Sequence, residues 1–75
     1  MEIMNRYENR QRIGRRLAAV REGQGWTQEQ LAAMADMRVQ TVQKIESGQF
    51  RVDVDVLAVL CDVLGVRVDI VEGRI

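Results

Sequence analysis

Residues 27–48 read TQEQLAAMADMRVQTVQKIESG, and the punctuation within that stretch decides the fold. The Thr27 hydroxyl can cap a helix, and Gln30 completes a capping box with it. Trp26, just before the cap, and Leu31, at the fourth helical position, can close a hydrophobic staple. Leu31, Ala32, Met34 and Ala35 give this helix a mostly apolar inner surface. Asp36 interrupts the pattern, and because Asp tolerates the left-handed backbone, a turn is predicted there. A second helix follows from about Val39 to Ser47, with Val42 and Ile45 inward and Gln40, Gln43 and Lys44 outward. Gly48 stops it.

Outward from that centre the pattern stays helical. Met1 to Tyr7 shows no clear period and reads as an N-terminal arm, residues 1–7. From about Glu8 to Glu22 a helix is predicted, with Ile13, Leu17 and Val20 as its core stripe and most arginines off that stripe. Gly23-Gln24-Gly25 ends it. After a loop at Gln49–Val52, Asp53 reads as the N-cap of a fourth helix, with Val52 and Leu57 as its staple pair. Leu57, Leu60, Cys61 and Leu64 face inward, and Gly65 ends that helix and the domain, residues 8–65. In residues 66–75 the spacing changes. Val66, Val68 and Ile70 alternate with Arg67, Asp69 and Val71, which is strand periodicity. A lone strand leaves its backbone groups unpaired, so the partner expected is the same segment of a second chain across a two-fold axis, with Val66, Val68 and Ile70 in the dimer interface. The alternative is an apolar tail lying on the bundle.

Seventy-five residues make one small domain. A chain this short buries only about 60% of its unfolded surface, so pairing of two copies would stabilise it. An apolar content of 47% beside 29% charged residues argues against disorder. The formal net charge is zero, which counts against a nucleic-acid partner, but the distribution is uneven. Residues 1–22 hold six arginines against three glutamates, residues 23–51 balance, and residues 52–75 hold two arginines against five carboxylates. Chance and solvated helix faces can produce such a gradient by themselves. Cys61 is the only cysteine, so neither an intrachain disulfide nor a thiolate metal site is expected, and its spacing with the leucines marks a small core residue. No apolar run approaches the ~18 residues of a membrane span and the N-terminus is unlike a signal peptide, so a cytoplasmic protein is expected. Without His, a nucleotide-binding glycine motif or a carboxylate pair in an evident cleft, an enzyme is not expected, and no cofactor is called for.

Two short helices joined by a turn, with amides and a cation on the outer face of the second, suit the major groove of double-stranded DNA. Gln40 or Gln43 can bond bidentately to adenine, Lys44 suits guanine, and Val39 can pack on a thymine methyl. Arg38 and Arg51 flank the unit and suit phosphates. Each alone would read as a solvated helix face; the surrounding pattern selects contact, for Gln40 and Lys44 before Gln43.

Across Ile13 to Val66 the chain resembles the Cro/C1-type (XRE, λ-repressor-like) helix-turn-helix domain. The shared residues are Ile13-Gly14, Leu17, Val20-Arg21, Gly25, Thr27-Gln28-Glu29, Leu31-Ala32, Val42, Ile45-Glu46, Gly48, Leu57, Leu60 and Leu64-Gly65-Val66. The resemblance implies an all-α bundle of four or five helices whose second and third form the DNA-binding unit. It also implies that Gln28 holds phosphate and braces a base-contacting side chain. It places Val39, Gln40, Gln43 and Lys44 at base edges, Thr41 at the DNA backbone, and Arg21 with Glu46 in a structural ion pair. Where the family usually has Gly, Ser or Thr, and Pro, this chain has Asp36, Arg38 and Val52. Arg38 is a poor N-cap, which leaves the base-contact register open by about one residue.

The function expected is a sequence-specific transcriptional regulator, a repressor, binding as a homodimer. The resemblance extends to HipB-type antitoxins, which carry a short C-terminal strand used in dimerisation. It therefore also admits an antitoxin that binds a toxin partner and represses its own operon. A third reading is an adaptor that kept the fold and lost DNA, for which the neutral net charge speaks.

Overall fold

The computed structural model describes residues 5–68 and residue 71, and its elements are four helices: α1 (Arg6–Gly23), α2 (Gln28–Met34), α3 (Val39–Glu46) and α4 (Val54–Leu64). The fold is the all-α, λ-repressor-like bundle that the sequence predicts. Three of the four helices start on a side-chain cap. Asn5 accepts from the Glu8 amide at 2.8 Å, Thr27 from Gln30 at 3.0 Å within a complete capping box, and Asp53 from Val56 at 2.8 Å. Arg38, before α3, supplies no such bond.

All four helices end the same way, on a residue in the left-handed conformation: Gly25, Asp36, Gly48 and Gly65, with φ of 78°, 54°, 78° and 72°. In each case the amide of the next residue reaches back over the last turn, as Trp26 does to Arg21, Met37 to Ala32, Gln49 to Lys44 and Val66 to Cys61. These bonds satisfy carbonyls that the helix ends leave unpaired. Three glycines adopt that backbone without a Cβ clash. Among the described residues Asp36 is the one non-glycine with positive φ, in the turn between α2 and α3.

The core joins Leu17 of α1, Leu31 and Ala32 of α2, Val42 and Ile45 of α3, and Leu57, Leu60, Cys61 and Leu64 of α4. Helix α3 packs against both α1 and α2, and α4 packs against α2. The α1–α3 contact is backbone to backbone. A Cβ on Gly14 would lie 2.4 Å from the Ile45 carbonyl oxygen and 2.6 Å from that of Glu46. Gln24 Nε2 donates to the Leu64 carbonyl at 2.6 Å and ties the end of α1 to the end of α4.

Two expectations are corrected. The first helix, expected from about Glu8, begins at Arg6, where Asn5 caps it and Glu8 closes back on the cap; residues 1–4 of the expected arm lie outside the described residues. The strand expected at Val66–Val71 is not formed among the described residues. Val68 and Val71 are helical, Val66 and Arg67 are in neither helix nor strand, and Asp69 and Ile70 lie outside the described residues. Val71 is fully buried in the core and Val66 and Val68 pack against it. Val68 and Val71 stand three apart, a helical spacing that overlaps the period-two pattern. A helical turn pairs its own backbone groups, whereas a strand here has no neighbouring strand among the described residues.

Candidate nucleic-acid interface

The candidate surface is built on α2, the turn at Asp36 and α3. The turn is held by two amides, Asp36 to the Ala33 carbonyl at 3.3 Å and Met37 to that of Ala32 at 2.9 Å. Val42 and Ile45 anchor the inner side of α3 and are almost wholly buried. With that side fixed, the helical period leaves Gln40, Gln43 and Lys44 exposed on the opposite side, as predicted. These three side chains come from one helix and form one solvated face of amides and a cation.

The other predicted residues divide by environment. Arg38 and Arg51 are exposed at the two ends of α3. Thr41 is half-buried. Val39 is also half-buried and packs against the core, so part of its side chain is already engaged. Lys44 has a neighbour the sequence reading missed: its ammonium lies 4.9 Å from the centre of the Phe50 ring. That cation–π contact restricts a flexible side chain on the outer face. Phe50 remains 41% exposed, and its position shortly after Lys44, beyond the turn at Gly48, was the available signal.

Beneath the surface lies the ion pair that the resemblance implied. Arg21 Nε donates to Glu46 Oε2 at 2.7 Å and Arg21 Nη2 to Glu46 Oε1 at 3.0 Å, a two-point contact between mostly buried side chains. A third donation, from Arg21 Nη1 to the Trp26 carbonyl at 2.7 Å, ties the loop before α2 to the same guanidinium. The hydrogen bond to Glu46 raises the Arg21 pKa above its already high ordinary value, with burial opposing it. Gln28, predicted to hold phosphate, donates its amide to Glu46 Oε1 at 2.9 Å. Its side chain therefore braces the ion pair, and through it the relative placement of α1, α2 and the end of α3.

Among the described residues no cluster of acidic, His or Cys side chains is placed to hold a metal ion, and no helix is long and apolar enough to cross a membrane.

Residues 17–71 match the model of the helix-turn-helix family HTH_3. No curated protein matches the chain significantly. Solved structures similar to it include the following three. The restriction-modification controller protein C.AhdI from Aeromonas hydrophila has a TM-score of 0.84 at 26% identity, over 87% of this chain and 98% of that one. The clp gene regulator ClgR from C. glutamicum has a TM-score of 0.83 at 27% identity, over 97% and 92%. A hypothetical transcription factor, NHTF, from Neisseria shares the fold with a TM-score of 0.83 at 19% identity, over 96% and 83%.

Proposed function

The chain belongs to the helix-turn-helix family of the Cro/C1 (XRE) type and is a DNA-binding transcriptional regulator; we propose from that premise that it is a repressor that inserts α3 into the major groove and binds as a homodimer. The observation that carries the reading is the outer face of α3. Gln40, Gln43 and Lys44 are exposed together on a helix whose opposite side is locked into the core. Gln40 and Gln43 have the amide geometry for adenine, and Lys44, steadied by Phe50, has the charge for guanine. Val39, Thr41, Arg38 and Arg51 border that face, Val39 for thymine methyls and the others for phosphates. Gln28 acts from below, through Glu46.

The zero net charge is compatible with this reading because the charges are segregated. The first 22 residues are basic and the last 24 acidic, so the field at the N-terminal end is not that of a neutral body.

A homodimer is supported by the small size of the chain and by valines left at the surface. Val59 is 42% exposed, Val63 follows one turn later, and Val66 lies just beyond, both half-buried. On this proposal the contact would lie on α4 and the segment after it, with Val66 and Val68 contributing their uncovered sides. Ile70, the third residue expected there, lies outside the described residues. The antitoxin alternative drew on a C-terminal strand; with Val68 and Val71 helical, that argument lapses, and neighbours above 25% identity include a controller protein and a gene regulator.

Selection of a preferred duplex from a random library tests the proposal. A recovered site with two-fold symmetry and half-sites about one helical turn apart, ~34 Å, is expected for a dimer of this fold. Failure to enrich any sequence, with no duplex binding at low salt, would leave the adaptor reading standing.

A further inference from the structure

One face of α1 carries Arg6, Asn9, Arg10 and Ile13, spaced as successive turns of a helix. Against it stand Arg51 and Val52, from the segment between α3 and α4, and together the six line a shallow depression of about 370 Å³. Ile13 and Val52 form an apolar floor; Arg6, Arg10 and Arg51 form a cationic rim. Asn9 is steadied by Arg12, whose Nη2 donates to its Oδ1 at 2.7 Å. Among the described residues no carboxylate pairs with Arg6, Arg10 or Arg51. Asp53, the nearest acid in sequence to Arg51, spends its carboxylate on the cap of α4.

This arrangement is unfavourable in the isolated chain. Arg6 is the first residue of α1, where the helix dipole disfavours a cation. Arg6 and Arg10 are like charges one turn apart, and Arg51 brings a third to the same depression. An anion seated on the rim would reverse each of these terms. The depression also adjoins the end of α3. Gly48 packs so closely on Gln11 of α1 that a Cβ there would lie 2.7 Å from its Cγ, and Arg51 follows shortly after.

We propose that Arg6, Arg10 and Arg51 form a phosphate clamp for the DNA backbone beside the α3 face, with Ile13 and Val52 taking the apolar side of a deoxyribose. This rests on the DNA-binding reading above and extends it to the first turns of α1, which the reading of α3 left without a role. Such a clamp strengthens binding without choosing sequence.

The test is fluorescence anisotropy of a random-sequence duplex and a selected duplex, titrated over a range of salt with wild type, R6Q/R10Q and R6K/R10K. The proposal expects R6Q/R10Q to lose affinity for both duplexes by the same factor. Its plot of log K against log salt should flatten by about one to two units, close to one for each phosphate no longer neutralised. R6K/R10K should retain most of the slope. Thermal melts without DNA check the fold, and R6Q/R10Q should melt at or above wild type because like-charge repulsion is removed. An unchanged slope in a folded R6Q/R10Q, with wild type binding duplex normally, overturns the clamp and leaves the α3 reading intact. Loss confined to the selected duplex also overturns it. A wild-type protein that binds no duplex overturns both. Inorganic phosphate alone competing fully for the duplex at equal ionic strength would make this a small-anion site and overturn the backbone assignment.

Discussion

Glu46 closes three structures at once: it accepts two bonds from Arg21 and one from Gln28, so helices α1, α2 and α3 meet at a single carboxylate. Removing one partner leaves the other charge buried without compensation. Arg21→Met should therefore destabilise the fold by about 3–5 kcal/mol, while Arg21→Met with Glu46→Leu should cost much less. Paired thermal or urea melts check this, and a wild-type melt for the single variant would refute it. Gly14 is equally constrained, by backbone atoms that cannot move aside, and Gly14→Ala forces α1 and α3 apart. At the surface the expectation differs. Gln40→Ala should lower affinity for the selected duplex by about 1–3 kcal/mol and leave random duplex nearly unchanged, with an undisturbed melt. Equal loss on both duplexes would assign Gln40 to phosphate.

At the scale of the element, α3 is the least well started of the four helices. Asn5, Thr27 and Asp53 cap their helices, but Arg38 does not. The first turn of α3 thus has no side-chain acceptor from its cap residue, and the Thr41 amide is met instead by the Arg38 carbonyl at 3.0 Å. Arg38→Ser should raise stability by about 1 kcal/mol through a new cap. The same change should weaken random and selected duplexes alike, because a cation beside the backbone is removed. Calorimetry and anisotropy on the same variant read the two effects separately; a variant neither more stable nor weaker in binding would refute both halves. A poor cap on the helix proposed to enter the groove is the kind of local inconsistency that a binding surface produces.

On the scale of the molecule, the core takes in a residue beyond α4. Val71 is fully buried, and Val66 and Val68 pack beside it. Deleting residues 66–75 should lower stability by about 2 kcal/mol or more, since it uncovers the core and leaves a cavity where Val71 sat. Loss of association in that truncated chain would therefore be ambiguous. Val59→Glu is the sharper probe of the dimer, because Val59 is exposed and its replacement leaves the core intact. Sedimentation should show wild type as a dimer and Val59→Glu shifted to monomer with an unchanged helical signal. A wild-type monomer at high concentration would refute the homodimer, and an undiminished dimer in the variant would place the interface elsewhere.

What the sequence determined by itself was whatever a few neighbouring residues can settle. Thr27 with Gln30, Asp53 before Val54, and the left-handed stops at Gly25, Asp36, Gly48 and Gly65 are local chemistry, complete within one turn of helix. They mark where all four helices end and where two of them begin, and the helical period then turns Gln40, Gln43 and Lys44 outward once Val42 and Ile45 turn in. Only the tertiary structure decided the rest. Val66 to Val71 carries two periods at once, and the choice depended on whether a distant core had room for Val71 or a strand had a partner to pair with. Gln28 looked outward until Glu46, far along the chain, was there to receive its amide. The convergence of Arg6 and Arg10 with Arg51 depends on Gly48 lying against Gln11. Local signals are written in consecutive residues because backbone hydrogen bonds there span only a few positions; contacts between remote residues exist only after the core has closed.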